Sequence, residues 1–147
     1  MSVNVRLQKL HPRARVPAYQ TEGAAACDLC ALLDAPVTLQ PGERFLVPTG
    51  IAIQICRPET AAILAARSGL ASRYGIALAN GIGVIDSDYT GEVKVALVNL
   101  SQDPYVIEDG QRIAQMFFVD TPRAVFEEVS SLEETTRGSG GFGSTGK

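Results

Sequence analysis

Two aspartates two residues apart, Asp86 and Asp88, lie within Gly83-Val84-Ile85-Asp86-Ser87-Asp88-Tyr89-Thr90-Gly91-Glu92. On an extended segment such a pair shares a face, where like charge raises one carboxylate toward the proton affinity of a general base. An acidic surface turn explains the same letters, since charged turns are routine. In Ala66-Arg67-Ser68-Gly69-Leu70-Ala71 a guanidinium and a hydroxyl stand at an expected helix start, where unpaired N–H groups and the helix dipole favour an anion; a plain surface cap is the alternative. Asp28 sits in the otherwise apolar Ala25-Ala26-Cys27-Asp28-Leu29, so its charge must be exposed, paired or near a cation. Gly110-Gln111-Arg112-Ile113-Ala114-Gln115 places two glutamines in a strand-like run, which the solubility of an edge strand explains nearly as well as a binding role.

The C-terminal stretch matches two phosphate-binding patterns by letter. Gly138 to Gly143 reads G-x-G-x-x-G, and Gly141 to Lys147 reads G-x-x-x-x-G-K. Glu133-Glu134-Thr135-Thr136 precedes them where a strand should, so neither dinucleotide fold nor P-loop is expected. The underlying chemistry survives: glycine-rich backbone can turn N–H groups toward phosphate, and Arg137, Ser144 and Thr145 add donors. With five of the chain's fourteen glycines and one large apolar side chain, Phe142, residues 138–147 cannot pack a core and are expected to be mobile. Cys27 and Cys30 form a C-x-x-C, but beyond Cys56 and the lone His11 there are no further soft donors at metal spacing, and no helix-forming stretch follows Cys27. Reduced thiols in a cytoplasm are expected.

These groups must be positioned by strands. Val3, Val5 and Leu7 alternate with Asn4, Arg6 and Gln8; Ile51, Ile53 and Ile55 repeat the pattern, as do Val93, Val95 and Leu97 against Glu92, Lys94 and Ala96. Turns fall at Gln40-Pro41-Gly42-Glu43, Asn80-Gly81, Tyr89-Thr90-Gly91 and Glu108-Asp109-Gly110. The expected fold is all-β, a jelly-roll-like antiparallel barrel or sandwich, with a hairpin carrying Asp86, Asp88 and Tyr89. One short helix, about Ser68 to Tyr74, is expected with Ser68 as its N-cap. The 147 residues, 46% of them apolar, suffice for one core, read as a domain over 1–136 with a flexible tail over 137–147. A net charge of −3 disfavours duplex nucleic acid as a partner. No apolar run is long enough to span a membrane, and the alternating start does not read as a signal peptide.

Taken in order, the five segments around Asp28, Arg67, Asp86, Gln115 and Gly138 resemble the five motifs of the trimeric deoxyuridine triphosphatases, over residues 25 to 146. Ala26 and Cys27 depart from the first motif and Ala66 from the second, while Asp28 is retained. The resemblance implies a homotrimer with active sites shared between chains, hydrolysing dUTP to dUMP and pyrophosphate by magnesium-assisted attack of water at the α-phosphorus. That reaction keeps uracil out of DNA and supplies dUMP for thymidylate synthesis. It implies Asp86 as general base, Tyr89 beneath the deoxyribose, and Asn80 with Gly83, Val84 and Ile85 on the uracil edge. Arg67, Ser68, Gly69 and Gln115 are implied at the α- and β-phosphates, and Asp28 at Mg2+ through water. The tail is implied to close over the nucleotide, with Phe142 on uracil and Arg137, Gly143, Ser144 and Thr145 around the γ-phosphate. A dCTP deaminase-like enzyme of the same fold and a non-catalytic nucleotide-binding regulatory trimer are the alternatives.

Overall fold

The computed structural model describes residues 2–142. Ten strands and one short helix follow one another as β1 (Val5–Lys9), β2 (Cys27–Cys30), β3 (Val37–Leu39), β4 (Arg44–Ile55), β5 (Thr60–Ala66), α1 (Ser68–Tyr74), β6 (Ile76–Leu78), β7 (Gly83–Ile85), β8 (Glu92–Asn99), β9 (Tyr105–Ile107) and β10 (Arg112–Asp120). They form two antiparallel four-stranded sheets, ordered β1-β4-β8-β6 and β2-β10-β5-β7, with β3 and β9 as a separate pair. The all-β, jelly-roll-like expectation holds.

Alternation decides which face turns inward. On β8 the branched residues Val93 and Val95 are buried with Leu97, whereas Glu92, Lys94 and Ala96 look outward. Ile51, Ile53 and Ile55 do the same on β4, and Leu29, Ala62, Leu64, Ile113 and Met116 answer them from the second sheet in one apolar cluster. The sharp turns expected around Gln40 and Glu108 are present, with Glu43 N–H bonded to the Gln40 carbonyl at 3.0 Å and Gln111 N–H to that of Glu108 at 3.2 Å.

Two expectations are overturned by strand pairing. Residues 83–92 are not the arms of a hairpin: β7 pairs with β5 in one sheet, while β8 pairs with β4 and β6 in the other. The turn at 86–91 is therefore a corner that carries the chain from sheet to sheet. Nor is β10 an edge strand, because β2 and β5 flank it on both sides. Edge solubility does not account for Gln115, which lies in the middle of a sheet.

Beyond β10 the chain leaves the sandwich. Thr121 N–H still bonds to the Glu59 carbonyl at 2.7 Å, but every residue from 121 to 139 is exposed, Val125 at 97% and Phe126 at 94%. Large apolar side chains exposed on this scale are the mark of an interaction surface.

Candidate functional site

The corner between the sheets builds a pocket of about 340 Å³. Its lining includes Asn80, Gly83, Val84, Ile85, Asp86 and Tyr89, six of the residues singled out from the sequence. Gly83 is tightly placed: a Cβ there would come within 2.9 Å of Leu64 Cβ on the paired strand β5, so any side chain would push β7 off the sheet edge. Gly81 and Ile82 N–H bond to the carbonyls of Leu78 and Asn80 and set the entry to β7. Past Ile85 the backbone turns, with Tyr89 N–H on the Asp86 carbonyl at 3.1 Å, so Asp86 and Asp88 do not lie on an extended segment and the shared-face argument does not apply to them. Both are exposed; Asp86 borders the pocket and Asp88 does not. The Tyr89 hydroxyl donates to the Glu92 carbonyl at 3.0 Å, and Ser87 Oγ donates to the Pro58 carbonyl at 3.1 Å, which ties the turn back to the body.

Leu46, Glu92, Lys94 and Ala96 also line this pocket. The alternation of β8 assigns Glu92, Lys94 and Ala96 to the outward face, but only the crossing of the chain between sheets makes that face the floor of a site.

The other singled-out residues gather on the second sheet. Asp28 is 9% exposed on β2 and lies opposite Gln115 of β10. Its Oδ1 accepts from Arg67 Nε at 3.1 Å and its Oδ2 from Arg112 Nη1 at 3.0 Å. Of the three environments open to Asp28, the paired one is realised. A β-bulge puts Arg112 there. Strict alternation would seat Arg112 with the core residue Ala114, but the register slips between them, so Arg112 falls opposite Cys30, on the same face as Asp28 and Gln115. Arg67 Nη1 donates to the Arg112 carbonyl at 3.3 Å and Gln115 Nε2 to the Ala66 carbonyl at 3.1 Å, so strands β2, β10 and β5 meet in one polar network. Arg112 was named in the sequence only as part of its motif; its partner depends on a bulge that no local pattern announces.

Helix α1 begins beside this network. Its N-cap is Arg67 rather than Ser68, with extended backbone (φ −80°, ψ 129°) and no side-chain capping bond. Arg67 sends its side chain to Asp28, and Ser68 is already the first helical residue, so the Ser68 hydroxyl is not consumed by capping. Gly69 has open space where a Cβ would project.

Burial pushes the Cys27 and Cys30 thiols up from their ordinary range, with the Asp28 carboxylate between them adding to it. Cys27 Sγ donates to the Met116 carbonyl at 3.3 Å, and all three cysteines are free. In the tail, Arg137 Nε donates to the Gly140 carbonyl at 2.8 Å and Phe142 stands in open solvent. Gly143, Ser144 and Thr145 lie outside the described residues.

A larger cavity of about 740 Å³ is bordered by Val3, Val5, Leu7 and Phe118 together with Arg57, Thr60 and Asp120; it touches Cys27 but none of the residues that the resemblance implies at the site. The charges on its wall, Arg57 and Asp120, are paired with each other at 3.4 Å, so the corner pocket, where the residues singled out from the sequence converge, is the better candidate despite its size. The corner pocket in turn holds none of Asp28, Arg67, Ser68 or Gln115.

The dUTPase family model matches residues 13–146. A deoxyuridine 5′-triphosphate nucleotidohydrolase of Desulfitobacterium hafniense is 52% identical over 132 residues, covering 90% of this chain and 87% of that protein. One from Neisseria meningitidis serogroup C is 49% identical over 148 residues, covering 99% of each. Among solved structures, the dUTPase of Staphylococcus bacteriophage 80alpha with dUpNHpp superposes with a TM-score of 0.88 at 24% identity, over 98% of this chain and 99% of that one. A mutant dUTPase of S. aureus phage phi11, described with a structural Mg(II) ion, superposes with a TM-score of 0.79 at 20% identity, over 89% of this chain and 99% of that one.

Proposed function

Because the chain belongs to the dUTPase family and hydrolyses dUTP to dUMP and pyrophosphate, we propose that the corner pocket receives the deoxyuridine and that Asp86 activates the water that attacks the α-phosphorus. The observation that carries this reading is the convergence of Asn80, Gly83, Val84, Ile85, Asp86 and Tyr89 on one pocket. Asn80 and the backbone of residues 83–85 supply a fixed set of donors and acceptors for the uracil edge, and hydrogen bonding of that kind rejects a base with the wrong pattern strongly. Tyr89 lies beneath the deoxyribose and leaves no space for a 2′-hydroxyl. Asp86 forms no ion pair among the described residues, which leaves its carboxylate available to a water proton.

Arg67, Ser68, Gly69 and Gln115 hold the α- and β-phosphates, with Arg112 fixing Asp28 from the other side. The residues fit a magnesium ion that arrives with its nucleotide. Among the described residues no three acidic, histidine or cysteine side chains gather around a cation position. Asp28, after accepting one bond on each oxygen, still has a lone pair on each for a water of a hydrated ion. Asp28 would hold such an ion through water, and the ion, when bound, would supply charge neutralisation along the triphosphate. The tail closes last, with Phe142 on the uracil and Arg137, Gly143, Ser144 and Thr145 on the γ-phosphate, excluding bulk water.

The working unit is a homotrimer. In support, the exposed apolar arm needs a second chain to cover it, and the Asp28 network lies outside the pocket that holds Asp86. No helix among the described residues is long and apolar enough to cross a membrane, and the free cysteines support a cytoplasmic location. Hydrolysis in water enriched in 18O tests the chemistry. Attack at the α-phosphorus places the label in dUMP and none in pyrophosphate; label in pyrophosphate, or orthophosphate as first product, refutes it.

A further inference from the structure

The Tyr89 ring is held by more than its own backbone. Its Cα end is set by the bond from Tyr89 N–H to the Asp86 carbonyl at 3.1 Å, and its tip by the bond from the hydroxyl to the Glu92 carbonyl at 3.0 Å. Glu92 is itself anchored, since its Oε1 accepts from Gly50 N–H at 3.0 Å on the neighbouring strand β4. Between these two ends the ring lies directly over Gly91. A Cβ at that position would sit 2.5 Å from the Tyr89 hydroxyl oxygen, 2.7 Å from Cζ and 3.0 Å from Cε2. Carbon and oxygen in contact stand about 3.5 Å apart. Gly91 does not have a left-handed backbone, so alanine meets no left-handed strain there, and the three atoms nearest the added Cβ all belong to the Tyr89 ring and its hydroxyl.

We propose that Gly91 is a specificity-determining position: by having no side chain it lets the Tyr89 ring settle at the height and tilt that admit deoxyribose and exclude ribose. This rests on the reading of Tyr89 as the sugar platform. Excluding a single oxygen atom requires a surface held to within about 0.5 Å, and a Cβ at 91 forces the ring tip to move further than that and breaks its bond to the Glu92 carbonyl. A ring released at its tip no longer discriminates at that resolution. The effect belongs to selection rather than to chemistry, because Asp86 and the phosphate-binding residues are untouched.

The experiment compares Gly91→Ala, Tyr89→Ala and the double variant, each checked for folding by circular dichroism and thermal melting, with kcat/KM measured separately for dUTP and UTP. The expected result is that Tyr89→Ala lowers the preference for dUTP over UTP most, that Gly91→Ala lowers it by about tenfold, chiefly through KM, and that adding Gly91→Ala to Tyr89→Ala changes nothing further. The double variant also has no clash, so it melts no lower than Tyr89→Ala. If Tyr89→Ala loosens the preference but Gly91→Ala keeps the wild-type ratio and merely melts lower, the glycine is structural and the proposal is overturned. Independent, additive effects of the two substitutions overturn it as well. If Tyr89→Ala leaves the ratio unchanged, the platform reading itself fails, and the proposal falls with it.

Discussion

Asp86 and Asp28 are housed in opposite ways. Asp86 stands exposed on a turn between two sheets, with no cation on its carboxylate among the described residues. Asp28 is buried in the middle of a strand, with a guanidinium on each oxygen. Each arrangement suits one task and spoils the other. A carboxylate that must take a proton from water needs free lone pairs, and a guanidinium on each oxygen leaves fewer of them. A carboxylate that must hold its neighbours in place gains from that pair in orientation. On the proposed mechanism, the same residue type is thus assigned to chemistry or to scaffolding by its neighbours.

The sharpest way to break this contrast is at the first acid. Asp86→Asn keeps size and hydrogen-bonding reach but cannot accept a proton, so kcat should fall by about a hundredfold or more while binding of dUpNHpp, followed by calorimetry, persists or tightens. Activity within severalfold of wild type would move the base to another residue. The same substitution should leave thermal stability within about 0.5 kcal/mol, because an exposed, unpaired carboxylate holds nothing together.

Whether Asp86 and the tail of another chain serve one site is a second test. Asp86→Asn chains and chains truncated after Thr136 should each be inactive, yet mixed equally in the proposed trimer with random exchange they should restore about a quarter of sites if base and tail come from different subunits. With exchange verified by a mass tag, a silent mixture refutes the shared site.

At the second acid the expected loss is in folding before chemistry. Asp28→Asn leaves two arginines without their carboxylate, at a cost of about 2 kcal/mol, below the range for a fully buried pair because Arg67 and Arg112 remain 28% and 46% exposed. Arg112→Gln should cost about 1 kcal/mol, since Arg67 still holds Asp28. Denaturant midpoints measure both; a stable Asp28→Asn would mean the network carries no load.

The smallest effect is the slow reaction of the thiols beside Asp28. Burial raises Cys27 and Cys30, so the reactive thiolate is scarce at neutral pH and grows only as the solution is made alkaline. Iodoacetamide at neutral pH should therefore add one label per chain, at the exposed Cys56, as read by peptide mass spectrometry.

How far these housings could be read from letters alone differs between them. The inward faces of β4 and β8 follow from alternation, which is a local property of each strand. The expected span of α1, Ser68 to Tyr74, also matches, but its cap does not, because Arg67 is drawn to Asp28, a partner 39 positions away in sequence. The motif around Asp86 was legible as a cluster; that its two flanking strands enter different sheets was not, since pairing partners are chosen by the whole fold. Arg112 reaches Asp28 through a register slip between β2 and β10, and such a slip exists only once both strands are paired.

The exposed arm after β10 has a consequence for dilution. Residues 121–136, fully extended, reach as far as about 50 Å, more than the roughly 30 Å width of a small domain. If the tail serves a neighbour's nucleotide as proposed, it would arrive there by an intramolecular search, at an effective concentration in the millimolar range set by tether length and not by how much enzyme is present. Such closure would keep the same rate in a dilute cell extract as in a concentrated stock, until the chains part and the tether no longer joins anything.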